Sequence, residues 1–301
     1  MRITNQYTTR STIETFSTIR AQLDAALERV TTGRRFSAAS EDPAGALAVM
    51  QNTVQTRALA QYKRNIDAAN ARVSLEDGAL DALTVVLTRA RELGMAGASD
   101  TGTPETRKAG AAEANQLLAQ AVQIAGTKHE REFLFGGDTS TTAPYTIDTT
   151  GAVYTYNVAT PAPTGERMVD IGPGQRIAAN HDGLDVFGDA TTGPLAALRD
   201  LAAALNSGDR AQVAAALPSI DVALEKTQVL VAETGARGNQ LTSSATRHTA
   251  LAQELASQTS NVLDIDIETA MTELVGRQTA FQAAMAATSR VSTLSLTDYL
   301  R

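Results

Sequence analysis

The chain has 301 residues, 43% of them hydrophobic, with no Trp, six Phe and six Tyr, so burial must come from Ala, Leu, Val and Ile, side chains that suit closely packed helices. A formal net charge of -7 and the lack of a Lys/Arg-rich run argue against a phosphate-binding surface and hence against nucleic acid as a partner. The absence of cysteine excludes a disulfide framework, a thiol nucleophile and a thiolate metal site, and fits either the cytosol or an exposed exterior.

Residues 1–11 are polar and rich in Thr, without the apolar stretch of a secretory signal, and no segment reaches the roughly 18 apolar residues of a membrane span. Export, if it occurs, is expected without a cleaved signal, and membrane insertion is not expected. From about Thr8 to Val30, Ile13, Phe16, Leu23, Leu27 and Val30 recur at helical spacings and predict a helix with one apolar stripe. A second helix is predicted from Pro43, where Asp42 caps the free backbone N–H groups and proline fits the first helical position. Within it Leu59, Tyr62, Ile66, Ala69, Val73, Leu80, Leu83, Leu87 and Ala90 alternate three and four apart, a coiled-coil seam broken at one heptad position by Glu76. Gly94 to Thr103 reads as a turn, after which Thr103 and Pro104 restart a helix carrying Leu117, Ala121, Ile124 and Lys128 toward Glu132.

From Phe133 to Gly188 the pattern changes to β-branched and aromatic residues broken by Gly, Pro, Asp and Asn, a β-rich insert of roughly 55 residues. Helical spacing resumes near Pro194 with Leu195, Leu198, Leu201 and Leu205, and a long helix is predicted after Pro218, through Leu224, Leu241, His248, Leu255 and Val262. A last amphipathic stretch carries Ile267, Met271, Leu274, Phe281 and Met285. The expected fold class is therefore mainly α with a β-rich insert: an elongated antiparallel coiled-coil or helical bundle formed by the two terminal halves. Residues 1–60 have seven basic and five acidic side chains and residues 239–301 four and six, which agrees with such pairing but weakly, since exposed ion pairs contribute about 0–1 kcal/mol each.

Catalytic and metal chemistry finds little to work with. His129, His181 and His248 lack a second His or Cys at ligand spacing, and His248 on its apolar seam reads as a packed or partner-facing residue. The run from Asp264 to Glu268 has carboxylates at every second position, but without the central Gly and distant Glu of a calcium loop it reads as a helix start or solvated face. Gly136-Gly137 and Gly172-Pro173-Gly174 lack the Lys-Ser/Thr of a phosphate loop and read as turns, and no G-x-S-x-G elbow is present. The expectation is no enzyme, no cofactor and no metal.

Residues 31–45, TTGRRFSAASEDPAG, resemble the signature near the N-terminus of the flagellin superfamily, carried here by Thr32, Gly33, Arg35, Phe36, Glu41, Asp42, Pro43 and Gly45. GARGNQL at 235–241 resembles the motif before the returning helix of that family, DIDIETAMTELVGRQTAFQAAM its terminal helix and STLSLTDYLR its closing tail. The opening MRIT, Pro43 after the acidic pair, and Phe133-Leu134-Phe135-Gly136-Gly137 with Thr139 and Pro144 resemble the hook–filament junction branch, with filament flagellin the alternative. The resemblance implies an N-terminal assembly helix (1–42), a rod half (43–132), an outward insert (133–193), a second rod half (194–240) and a C-terminal assembly helix (241–301). It also implies an extracellular flagellar location, export by the flagellar type III route, and four partners: further copies of the chain, hook-associated protein 1, flagellin and an export chaperone. The assembly contacts it implies are Ile13, Phe16, Leu23, Leu27, Val30, Leu255, Val262, Ile267, Met271, Leu274, Phe281 and Met285. A ligand- or carbohydrate-binding insert, or a general coiled-coil scaffold, are the rival readings; the scaffold leaves the 33–45 signature unexplained.

Overall fold

A computed structural model describes the backbone of residues 2–100 and 102–299; within that range the side chains of residues 2–6, 8, 9, 139 and 290–299 lie outside the described set. The opening MRIT and the closing tail therefore fall outside the side chains described. In chain order the elements are α1 (Arg2–Thr32), α2 (Pro43–Ala98), α3 (Pro104–Ala125), β1 (Lys128–His129), β2 (Glu132–Phe133), a 3-10 turn (Gly137–Thr139), β3 (Tyr145–Asp148) and β4 (Thr155–Val158). They continue with β5 (Met168–Gly172), β6 (Gln175–Ala178), α4 (Gly183–Phe187), α5 (Pro194–Ser207), α6 (Arg210–Leu263) and α7 (Ile267–Tyr299). The fold is mainly α with an insert of three antiparallel hairpins, β1–β2, β3–β4 and β5–β6, each its own two-stranded sheet. Two compact units divide the chain: unit 1 holds residues 1–58 and 250–301, and unit 2 holds residues 59–249.

In unit 2 the seam of α2 is buried as its spacing requires: Ile66, Leu80, Leu83, Leu87 and Ala90 have no exposed surface. Its outer part joins α3, α5 and the first turns of α6 in one core with Phe135, Tyr145 and Phe187 of the insert, where the Phe135 and Phe187 rings meet edge to face at 5.0 Å. A smaller core packs Ile66, Ala69 and Val73 with Leu241 of α6 and with Ile171, Ile177 and Ala179 around β5–β6. The Asn115 amide of α3 donates to the Ala152 carbonyl and accepts from the Tyr154 N–H, each at 2.9 Å, and so holds the β3–β4 hairpin. His248 is packed rather than free: its ring stacks on Tyr62 at 5.7 Å and its Nε2 lies against the Ile171 carbonyl.

The structure corrects four sequence expectations. Residues 94–98 are helical, not part of a turn, because α2 needs glycine there for close packing: a Cβ on Gly94 would stand 2.6 Å from Leu217 and one on Gly97 2.6 Å from Leu205. The buried Arg107 then hydrogen-bonds the carbonyls of Gly97 at 2.7 Å and Ser99 at 3.2 Å, satisfying acceptors that the end of α2 leaves open. Helix α3 stops at Ala125 rather than reaching toward Glu132, and residues 128–133 form a hairpin whose turn places Glu130 at φ +57°. Helix α6 starts at Arg210 and runs through Pro218; an interior proline costs about 3 kcal/mol, offset here by full burial of Val213 and Ile220 on either side. Glu76 does not break the seam toward solvent: it is completely buried.

Candidate assembly surface

The terminal helices meet within unit 1. Helices α1 and α7 pack antiparallel, with Phe16 against Phe281 at a ring distance of 5.1 Å, Arg277 hydrogen-bonded to Gln22, and Arg29 paired to Glu273 at 3.4 Å. Leu274 is buried in this contact region, and Phe16, Leu23, Val30 and Phe281 are half-buried. With about 3.6 residues per turn, Ile13 and Leu27 fall on the flank of the α1 stripe and remain exposed. On the unit 1 part of α6, Leu255 is buried and Val262 half-buried, and Thr259 accepts a 3.2 Å hydrogen bond from Asn52 of α2.

The signature residues build the corner between α1 and α2. Gly33, at φ +69°, ends α1, and the chain then pairs with the α6–α7 junction: Arg35 N–H donates to the Leu263 carbonyl at 2.6 Å, and Ile265 N–H to that of Gly33 at 3.1 Å. Thr32 accepts from the Arg34 N–H, Glu41 from the Ser37 N–H at 3.0 Å, and Phe36 is buried under the Arg35 guanidinium. Asp42 does cap the second helix, accepting from Gly45 N–H at 2.8 Å and from Arg35 at 2.7 Å. Those two interactions, the backbone one first, hold its carboxyl below the usual aspartate range. Gly45 is required by close approach, since a Cβ there would lie 2.6 Å from Asp42 and 3.0 Å from Phe36. Pro43 occupies the first position of α2. The carboxylate run resolves as local capping: Asp264 accepts from Ser260 at 2.6 Å, and Asp266 caps α7 through the Glu268 N–H and the Thr269 hydroxyl.

What this arrangement offers is surface. Among the described residues of unit 1, only Ala26, Phe36, Leu255 and Leu274 are buried apolar side chains, while Ile267, Met271 and Met285 stay exposed along α7. Two features were missed in the sequence: Val275, which extends the Ile267–Met271 row at four-residue steps, and a stripe on α2 of Leu47, Met50 and Val54, exposed at 56%, 63% and 60%. The spacing of three and four residues in that α2 stripe was the available signal. Two recesses of about 300 and 230 Å³ flank the corner, the first lined by Ala25, Glu28, Arg34 and Glu41 among others, the second by Ala26, Asp264, Ile265 and Glu273 among others.

Comparison with known proteins agrees with this organisation. Residues 3–139 match the family model of the bacterial flagellin N-terminal helical region, and residues 217–300 that of the C-terminal helical region. The chain is 25% identical to the flagellin of Bacillus subtilis over 95% of its length and 94% of the relative's. It is 26% identical to flagellar hook-associated protein 3 of Escherichia coli over 89% and 90% of the two chains. The fold also matches the crystal structure of the flagellar junction protein FlgL from Legionella pneumophila with a TM-score of 0.58 at 18% identity, covering 72% of this chain and 99% of that one. With terminal helices paired at a capped corner and both terminal regions matched, the chain belongs to the bacterial flagellin family.

Proposed function

We propose that this protein is a structural subunit of the bacterial flagellum at the junction of hook and filament, acting by assembly and not by catalysis. The observation that carries the reading is the open apolar surface of unit 1: Leu47, Met50 and Val54 on α2 and Ile267, Met271 and Val275 on α7 are large and exposed, beside only four buried apolar side chains among the described residues. Such stripes gain their burial when a neighbouring subunit covers them. Residues 1–42 and 241–301 serve as the assembly segments, with Ile13, Leu27, Ile267, Met271 and Met285 facing partners and Phe16, Leu23, Leu274 and Phe281 holding α1 to α7. The neighbours are other copies of this chain, hook-associated protein 1 and flagellin, with a chaperone holding the C-terminal helix before export. The assembled subunit is extracellular and exported without a cleaved signal. Likeness to a hook-associated protein 3 over most of both chains supports the junction role.

Filament subunit is the second reading, favoured by 25% identity to a flagellin across nearly the full length. Electron microscopy of cells lacking the gene separates the two. Bare hooks with flagellin secreted into the medium support the junction role, whereas hooks carrying partial filaments support the filament role.

A further inference from the structure

Outside the assembly surface, one group of polar side chains is buried in unit 2 without a role in the seam. His181 follows β6 and precedes α4, and it is only 2% exposed. Its Nδ1 lies 2.9 Å from the Glu76 carboxylate of α2 and its Nε2 3.2 Å from the Glu233 carboxylate of α6, while its backbone N–H donates to the same Glu76 oxygen at 2.7 Å. The neighbouring Asn180 knits the same segment to the insert, donating to the Leu134 carbonyl at 3.1 Å and accepting from the Arg167 N–H at 3.1 Å. Because an ionised carboxylate only accepts hydrogen bonds, an imidazole held between two of them satisfies both only when both ring nitrogens carry a proton.

We propose that His181 is a proton-operated latch: as the imidazolium it fastens the segment between β6 and α4 to α2 and α6, and on losing its proton to solvent it lets that segment go. The partners explain the direction. Glu233 is about half exposed, with 54% of its side chain accessible, so it can turn to water when Nε2 becomes a lone pair. Glu76 cannot, being completely buried with its second oxygen unpaired by any described residue. Once the imidazolium charge is gone, the completely buried Glu76 loses the cation that its Oε1 is paired with, and a low-dielectric interior favours any opening that admits water to it.

The other charged group facing the ring is Arg237 of α6, whose guanidinium repels the imidazolium but is itself paired to Glu166 at 3.0 Å. One Arg237 nitrogen and the Thr234 hydroxyl are likewise buried without a partner among the described residues, so the polar centre is already short of hydrogen bonds before the proton leaves. Burial, the largest influence, opposes the charge on His181; the hydrogen bond and charge of Glu76, with the Glu233 bond, outweigh it and raise the group above its ordinary value. A raised folded value means the latch stabilises fully below the unfolded value of about 6.5 and loses its contribution as pH rises through the folded value.

The test is amide hydrogen exchange of residues 177–187 in the full chain between pH 5.5 and 9, corrected for the intrinsic pH dependence of exchange. Protection is expected to fall roughly tenfold or more across the transition, with protection of the α3–α5 core constant. His181→Gln should give protection that no longer changes with pH, and Glu233→Gln should move the transition to lower pH. Constant protection in the unaltered chain, or the same fall in His181→Gln, overturns the proposal. If His181→Gln does not fold, the His181 ring is titrated by NMR in the unaltered chain: a midpoint above 6.5 supports the latch, and one at or below it overturns it.

Discussion

Replacing Leu47, Met50 and Val54 together by Gln tests whether the exposed stripe of α2 is a subunit contact. The three side chains already expose 56%, 63% and 60% of their surface, so the isolated chain has little burial to lose, and Gln is a good helix former. Surface changes of this kind fall within about ±0.5 kcal/mol, which leaves the melting temperature nearly unchanged. Assembly is a different matter. Fully burying a Leu, Met or Val contributes roughly 1.5–3 kcal/mol, so covering the remaining three-fifths of each is worth about 1–2 kcal/mol, and the stripe about 3–5 kcal/mol per contact. A loss of that size weakens a subunit contact by more than about 100-fold. The assays are thermal melting of the purified chain and complementation of a strain lacking the gene, scored by swimming and electron microscopy, with export of the variant checked in the medium. Normal filaments and motility from an exported variant would refute the reasoning, and so would a large drop in melting temperature.

Three further outcomes follow from the packing and capping. Leu83→Ala removes a completely buried seam residue and should lower the stability of unit 2 by about 2–5 kcal/mol in denaturant unfolding, whereas Leu274→Ala, in unit 1, should leave that transition in place and disturb only the α1–α7 pairing. Asp42 is held below its ordinary value of 3.8 by Gly45 and Arg35, so its cap stabilises the α1–α2 corner above that pH and is lost as pH falls through the lower folded value; Asp42→Asn should flatten the acid limb of a corner-specific probe, such as exchange of the Gly45 amide. Melting curves with and without a chelator should coincide, and a shift of several degrees would assign Asp264, Asp266 and Glu268 a metal after all.

Much of this protein is written in local pattern. The α2 seam, the Asp42–Pro43 start, the Thr103–Pro104 restart and the β-rich character of residues 133–188 depend on side-chain period and on which backbone groups a residue can cap, and both are properties of neighbours in the chain. The signature at 32–45 was legible for the same reason, since Asp42, Gly45 and Phe36 interact across a few residues. Contacts between distant segments were not legible. Glu76 looked like a defect because its partner, His181, lies 105 residues away and reaches it only once the β5–β6 hairpin is packed on α2. Pro218 looked like a helix boundary because propensity counts its lost hydrogen bond but not the burial of Val213 and Ile220 that carries α6 through it. Equal apolarity also hid different fates: Leu23 and Leu27 read alike in sequence, yet α7 covers one more than the other, and Leu47 and Leu83 occupy one helix with opposite exposure. Periodicity determines which face of a helix is apolar; only the tertiary fold decides whether that face is met by the same chain or left open, because burial depends on what another segment brings to it.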